Sequence, residues 1–426
     1  MEGAALVAVM LCILAAAGIS RRIRNTFLTL PMVYVALGLL LSDRVLGIVE
    51  LGLESDIVRI VAEMTLVLVL SSDASRIDLR RLAREYDLPL RLLGIGLPLT
   101  MILATLVAAA MFGALPLWEA VILAVILAPT DASLGQPVVT NRKVPVRIRQ
   151  TLNIESGLND GIAMPFLLLA ISMAEATEVS QLGTGYWIGL AAGQIVFGIV
   201  AGVVAGYLGL RFVEVGRRRG WMTAEFEKIS AVALAFLAYG LAEMVGGNGF
   251  IAAFCMGITV GNTSRAGLDE EMHEHVEVEV QLLMLLTFLM FGAVMLPLAL
   301  EQIDIMVVLY AVLSLTLIRT LPVAISLIGS KVRPVTALFL GWFGPRGVAS
   351  ILYVFIMLDA KNLKGTELVY TVVMVTVLFS ILGHGVTAAP GAKWYGGRMA
   401  DETIVEPDAV EHAEVLEMPL RIEPTA

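Results

Sequence analysis

Apolar residues run along this chain in blocks of about 15 to 25, the length an α-helix needs to cross roughly 30 Å of hydrocarbon. Charged or Gly/Pro-rich breaks separate the blocks, and thirteen candidate spans result: 3–19, 26–41, 57–72, 89–112, 118–136, 148–171, 187–209, 226–245, 248–261, 280–298, 303–328, 334–358 and 367–388. The short, strictly alternating segments of a membrane β-barrel are not visible. The pattern predicts an all-α polytopic membrane protein whose partner is the lipid bilayer. The segment from 391 to 426 is polar and acidic and is expected to be a disordered tail.

Positive charge gives the spans an orientation. One alternating set of loops holds twenty Lys and Arg residues, from Arg21 to Arg333; the other holds Arg44, Arg59, Lys361 and Lys364. Because Lys and Arg accumulate on the cytoplasmic side, the amino terminus is expected outside and the tail inside. The first apolar run follows Glu2 with no basic segment before it, so it reads as a span and not as a cleaved signal.

Composition agrees with a membrane solvent. Of 426 residues, 58% are hydrophobic and 16% charged, with a mean hydropathy of +0.86. A soluble surface needs about a quarter of residues charged. Cys12 and Cys255 both lie in apolar runs and read as buried small hydrophobes, with no disulfide or metal framework. The net charge of −9 is concentrated in the tail and in the segment Asp269–Glu279, and nothing points to nucleic acid.

Ionisable groups inside spans are costly, and they mark candidate chemistry. In VILAVILAPTDASLG (121–135), Pro129 removes a backbone donor and predicts a break near mid-membrane, with Asp131 directly after it. Freed carbonyls, the Thr130 hydroxyl and a carboxylate make an oxygen-rich site suited to Na⁺ or Li⁺. The alternative is a kink in which Asp131 only caps the second half-helix. In RQTLNIESGLNDGIAMP (149–165), Ser156 and Asp160 are four apart and share a helix face, with Glu155 and Asn159 on the neighbouring one. Glu155 and Asp160 differ by about 140° around the helix. Asp160 and Ser156 are therefore expected to face the Asp131 cavity, and Glu155 to need a cationic partner. Buried Arg319 and Arg346 are the candidates, with Arg319 preferred for Glu155 and Arg346 for carbonyls or a half-helix end. Asp73, Asn153 and His384 are further candidates; His273 and His275 sit in an acidic segment that reads as a solvated loop.

Gly344, Pro345 and Gly347 interrupt the twelfth span as Pro129 interrupts the fifth. With span seven as a linker, two six-helix halves of opposite orientation each have a broken fifth helix. That is the inverted-repeat layout with crossed discontinuous helices, which favours a transporter over a channel or an enzyme.

On APTDA (128–132), ESGLNDG (155–161) and FGPRG (343–347), in that order on spans five, six and twelve, the chain resembles the monovalent cation:proton antiporter-1 family. The resemblance extends over residues 1–390, read as one transporter unit. Prokaryotic members are Na⁺/H⁺ antiporters of the cell membrane. The resemblance implies a homodimer, with a dimerisation part at 1–72 and 187–298 and a mobile core at 89–171 and 303–388. It implies an ion site of Thr130, Asp131, Ser156 and Asp160 with Asn159 alongside, holding Na⁺ as cargo, not as a resident metal. It also implies an internal pair of Glu155 with an arginine. Asn159-Asp160 resembles the electroneutral members, and no cofactor, ATP or covalent step is implied. Relatives have a glutamate near the end of span three where this chain offers Ser71, Ser72 and Asp73. A K⁺/H⁺ or mixed Na⁺/K⁺ exchanger on the same scaffold is the alternative.

Overall fold

Inside hydrocarbon no water satisfies backbone N–H and C=O groups, so apolar spans must bond internally, as helices do. The computed structural model describes residues 2–23, 28–85, 87–178, 184–263, 269–405, 410–413 and 415. Within these the regular structure is helical, with one isolated bridge between Ser42 and Val49. The chain opens with α1 (Glu2–Ile23), α2 (Leu30–Leu41) and α3 (Asp56–Ser75). Short α4 (Leu79–Glu85) and α5 (Asp87–Arg91) lead into α6 (Leu97–Met111). An interrupted rod, α7 (Leu117–Ile126) and α8 (Ala132–Val139), precedes α9 (Val146–Glu178) and α10 (Thr184–Arg218). Next come α11 (Ala224–Met244), α12 (Gly249–Thr263), α13 (Asp269–Met290) and α14 (Leu296–Leu300). The last third holds α15 (Ile305–Leu315), α16 (Leu317–Ser326), α17 (Pro334–Trp342), α18 (Val348–Leu358) and α19 (Thr366–Val405).

Among the described residues, seven helical stretches are long and apolar enough to cross a bilayer, and α2, α7, α12 and α18 are shorter apolar helices. Charges within α3 and α11, the short lengths of α2 and α12, and the breaks in two rods account for the six expected spans not among the seven. The stretches differ in place: in their most apolar windows α9 and α13 are 67% buried, whereas α1 is 11% and α10 22% buried, so α9 lies central and α1 and α10 peripheral.

Three features depart from expectation. π-helical turns at Leu92–Gly96 and Phe291–Met295 each stand just before a proline, Pro98 and Pro297. An extra residue in the turn relieves the clash of the proline ring with the preceding carbonyl. Span eleven is divided at Thr316, whose hydroxyl donates back to Val312 O at 2.6 Å and bends the helix there. The tail expected to be disordered from 391 is instead helical to Val405, and a 3₁₀ turn follows at Val410–His412. Its physical reason is a docking contact: Glu411 is 1% exposed and accepts from Arg333 N (2.9 Å) and Thr336 Oγ1 (3.0 Å). The rest of the tail, and the side chains of His273 and His275, lie outside the described residues.

Small residues set the tightest contacts. A β-carbon at Gly202 would sit 2.3 Å from Ala252 O, and one at Gly261 would sit 1.9 Å from Ser75 O. Close approach of this kind joins α10 and α3 to α12.

Candidate ion-binding site

The two interrupted rods cross at their breaks. Pro129 and Pro345 cannot donate, and each disfavours helix at the residue before it, so both chains run extended here. The extended segments bond to one another: Asp131 N donates to Pro345 O at 2.8 Å. Asp131 Oδ1 accepts from Ser133 N (2.7 Å) and Ser133 Oγ (2.6 Å), and its Oδ2 accepts from Val348 N (2.7 Å). One carboxylate therefore caps the N-termini of α8 and α18 together. Arg346 is its counterpart: Nη1 donates to Pro129 O (3.2 Å) and Gly344 O (3.0 Å), the carbonyls just past α7 and α17. Negative charge stands at two helix starts and positive charge at two helix ends, each opposing the local dipole. Ser350 Oγ closes the crossing by donating to Ile126 O at 2.8 Å.

The α9 face meets this crossing at Thr130. Asn159 Nδ2 donates to Thr130 Oγ1 (2.7 Å), with Thr130 O at 3.4 Å, and Thr130 Oγ1 lies 3.0 Å from Ser156 Oγ. Asn159 Oδ1 is buried without a hydrogen-bond partner among the described residues. Asp160, 6% exposed, follows on the Ser156 face, and Tyr353 Oη of α18 donates to its backbone oxygen. Gly161 leaves room for the Phe254 ring of α12, which would lie 2.2 Å from a β-carbon there. Thr130 thus touches both Ser156 and Asn159, and Asp160 is the next residue along α9. Asp131, expected as an ion ligand, spends its hydrogen bonds on the two helix starts.

The remaining candidates fall into place around this centre. Arg319 Nη2 meets Glu155 Oε1 at 2.5 Å, with side chains 1% and 2% exposed. The guanidinium passes over Gly344, where a β-carbon would lie 2.5 Å from Arg319 Nε. Asp73 of α3 is buried against α9, with its backbone oxygen 3.6 Å from where a Gly157 β-carbon would stand. Asn153 is buried one turn before Gly157. His384 serves the second break: Nε2–H donates to Trp342 O (2.8 Å), and Nδ1 accepts from Ser380 Oγ (3.1 Å), which accepts from Arg346 N (2.6 Å). Sequence reading missed Tyr353, Ser350 and Ser380; the signal available was a hydroxyl in an otherwise apolar span.

The oxygens gathered here (two hydroxyls, an amide and a carboxylate) are hard donors of the kind that replace the water of an alkali cation. Among the described residues no group of three His, Cys, Asp or Glu is placed to hold a metal.

The fold is one already seen. The sodium proton antiporter MjNhaP1 of Methanocaldococcus jannaschii superimposes with a TM-score of 0.73 over 93% of this chain and 98% of that one, at 19% identity. In sequence, the K(+)/H(+) antiporter NhaP of Alkalimonas amylolytica is 26% identical over 397 residues, 91% of this chain and 67% of the relative. A probable Na(+)/H(+) antiporter of Schizosaccharomyces pombe is 27% identical over 304 residues, 64% of this chain, and the match covers only 40% of its own length. The profile described as sodium/hydrogen exchanger, transmembrane, matches residues 6–394. Since that match takes in every helix of the crossing and of the site, the chain belongs to the sodium/hydrogen exchanger family.

Proposed function

We propose that this chain is a secondary active antiporter exchanging Na⁺ or Li⁺ for H⁺ by alternating access, with one carboxylate, Asp160, serving both substrates. The observation that carries the reading is the Thr130–Ser156–Asn159 cluster beside Asp160 at the point where two broken helices cross. A dehydrated cation would be held by Asp160, the two hydroxyls and backbone or amide oxygen; a proton on Asp160 would replace it. Asp131 contributes by fixing Thr130 and the crossing. Of the acids near the crossing, Asp131 and Glu155 are committed to helix starts and to Arg319. Exchange at the single carboxylate of Asp160, which follows Asn159 and not a second acid, is of one Na⁺ for one H⁺, without net charge.

The wider architecture follows the same reading. Thirteen spans form two inverted six-helix repeats, and the amino terminus lies outside and the carboxyl terminus in the cytoplasm. Residues 1–72 and 187–298 form the dimerisation scaffold of a homodimer. Residues 89–171 and 303–388 form the core that carries the ion. A second reading, K⁺ in place of Na⁺, is favoured by the A. amylolytica relative, a K(+)/H(+) antiporter.

The test is cation-dependent dissipation of ΔpH in proteoliposomes, comparing Na⁺, Li⁺, K⁺ and choline with the membrane potential clamped or free. A Na⁺ or Li⁺ response indifferent to potential is expected, and Asp160→Asn abolishes it. K⁺ dominance selects the second reading. Retained Na⁺-dependent proton flux in Asp160→Asn overturns the assignment of Asp160.

A further inference from the structure

We propose that Arg59 and Asp359 form an ionic latch across the boundary between scaffold and core, biasing the antiporter toward the conformation in which they touch. The proposal rests on the division into scaffold and core given above. Arg59 lies in the first turns of α3, in the scaffold; Asp359 ends α18, in the core. Arg59 Nη2 meets Asp359 Oδ2 at 2.5 Å, and its Nε meets Glu63 Oε1, one turn along α3, at 3.1 Å. The fork is therefore shared between a partner on its own helix and one on the opposite side of the seam. If the core moves, Asp359 leaves while Glu63 keeps the guanidinium paired, so the contact can open without stranding a charge.

Val58 and Ala62 of α3, neighbours of Arg59 and Glu63 along the helix, border a small apolar void in the seam with Thr287 of α13 and Ile351 and Phe355 of α18. On its other side α3 is fixed: β-carbons at Gly257 and Gly261 of α12 would lie 2.2 and 1.9 Å from Ser71 O and Ser75 O. One face of α3 is thus locked into the scaffold by backbone contact. The face toward α18 carries a void and a charge pair that comes apart without leaving a cavity. That asymmetry suits a sliding surface with an electrostatic stop.

Both side chains are about half exposed, so the contact is weak in absolute terms. An exposed pair biases an equilibrium by about two- to fivefold, enough to matter where two access states are nearly balanced. Exposure also makes the bias sensitive to ionic strength.

The experiment uses the full chain in proteoliposomes, with Glu63→Gln as the common background so that a reversed charge at 59 meets no second acid. Arg59→Asp, Asp359→Arg and the double swap are compared for apparent KM and maximal rate of Na⁺/H⁺ exchange, at low and high choline chloride. Each single reversal is expected to change the ratio of maximal rate to KM by twofold or more, and the double swap to restore it. High choline chloride should shrink the difference between singles and background. Spin-label distances between α10 and α19, in a background lacking Cys12 and Cys255, should shift in population with the singles and return with the swap. Single reversals that match the background, or a double swap showing the sum of both defects, overturn the latch. Failure of the antiporter reading is separate: it appears as no cation-dependent proton movement in the unmodified protein.

Discussion

Glu155 and Arg319 place opposite charges in a volume that water does not reach, and such a pair is valuable mainly because half of it cannot exist alone. Their attraction at 2.5 Å offsets the desolvation of both groups. Removing one partner leaves the other charged, buried and uncompensated. Glu155→Gln is expected to destabilise the protein by roughly 3–5 kcal/mol, read as a fall in thermal midpoint in detergent. The double variant Glu155→Gln/Arg319→Leu is expected to recover part of the loss, because no orphan charge remains. A midpoint unchanged by Glu155→Gln would mean that Arg319 is compensated elsewhere. Arg346 is fully buried with its Nη1 on the carbonyls of Pro129 and Gly344, so helix-end dipoles contribute to its compensation.

At the level of elements, the crossing works because two breaks share one set of atoms. Asp131 starts both α8 and α18, and its carboxylate occupies the space beside Gly347: a β-carbon there would lie 2.0 Å from Asp131 Oδ2 and 2.8 Å from its Cβ. Gly347→Ala is expected to push Asp131 out of its cap and to reduce exchange at least tenfold in proteoliposomes. Gly383→Ala, on α19 with nothing within 4 Å of its β-carbon, serves as the control and should leave exchange unchanged. Equal activity in both variants would show that Asp131 can cap α18 from a displaced position. The breaks themselves were legible at Pro129 and Pro345. That one carboxylate serves two helix starts was not, because the second start lies more than two hundred residues away.

Across the whole molecule, the end of the described chain returns to the helices that build the site. Val410 O accepts from Arg147 Nη1 at 3.1 Å at the start of α9. Glu411 caps the start of α17 through Arg333 N and Thr336 Oγ1, and Thr336 Oγ1 also meets Tyr395 Oη of α19 at 2.8 Å. These contacts tie together α9, α17 and α19 at the end away from the latch. Glu411→Ala removes an acceptor from a buried donor set and is expected to cost roughly 1–3 kcal/mol. Thermal unfolding should register the loss while Na⁺-dependent proton movement persists, since Glu411 touches no residue of the ion cluster. Complete loss of exchange with unchanged stability would assign the segment a direct part in transport.

The sequence by itself determined the solvent of this protein, its helical backbone, the two breaks, and the residues that share faces of α9. Those follow from local physics: apolar run length, the missing proline donor, and the helical repeat that sets Ser156 with Asp160. Sequence reading preferred Arg319 for Glu155 and Arg346 for carbonyls but left the pairings open, and the packed helices fix them. Tertiary structure also makes the Asp131 carboxylate a cap shared by α8 and α18, and brings Glu411 out of a segment expected to be disordered. The reason is common to all four. A buried charge or an open helix end must be satisfied, but which distant group satisfies it depends on how the helices pack, and no local pattern encodes that.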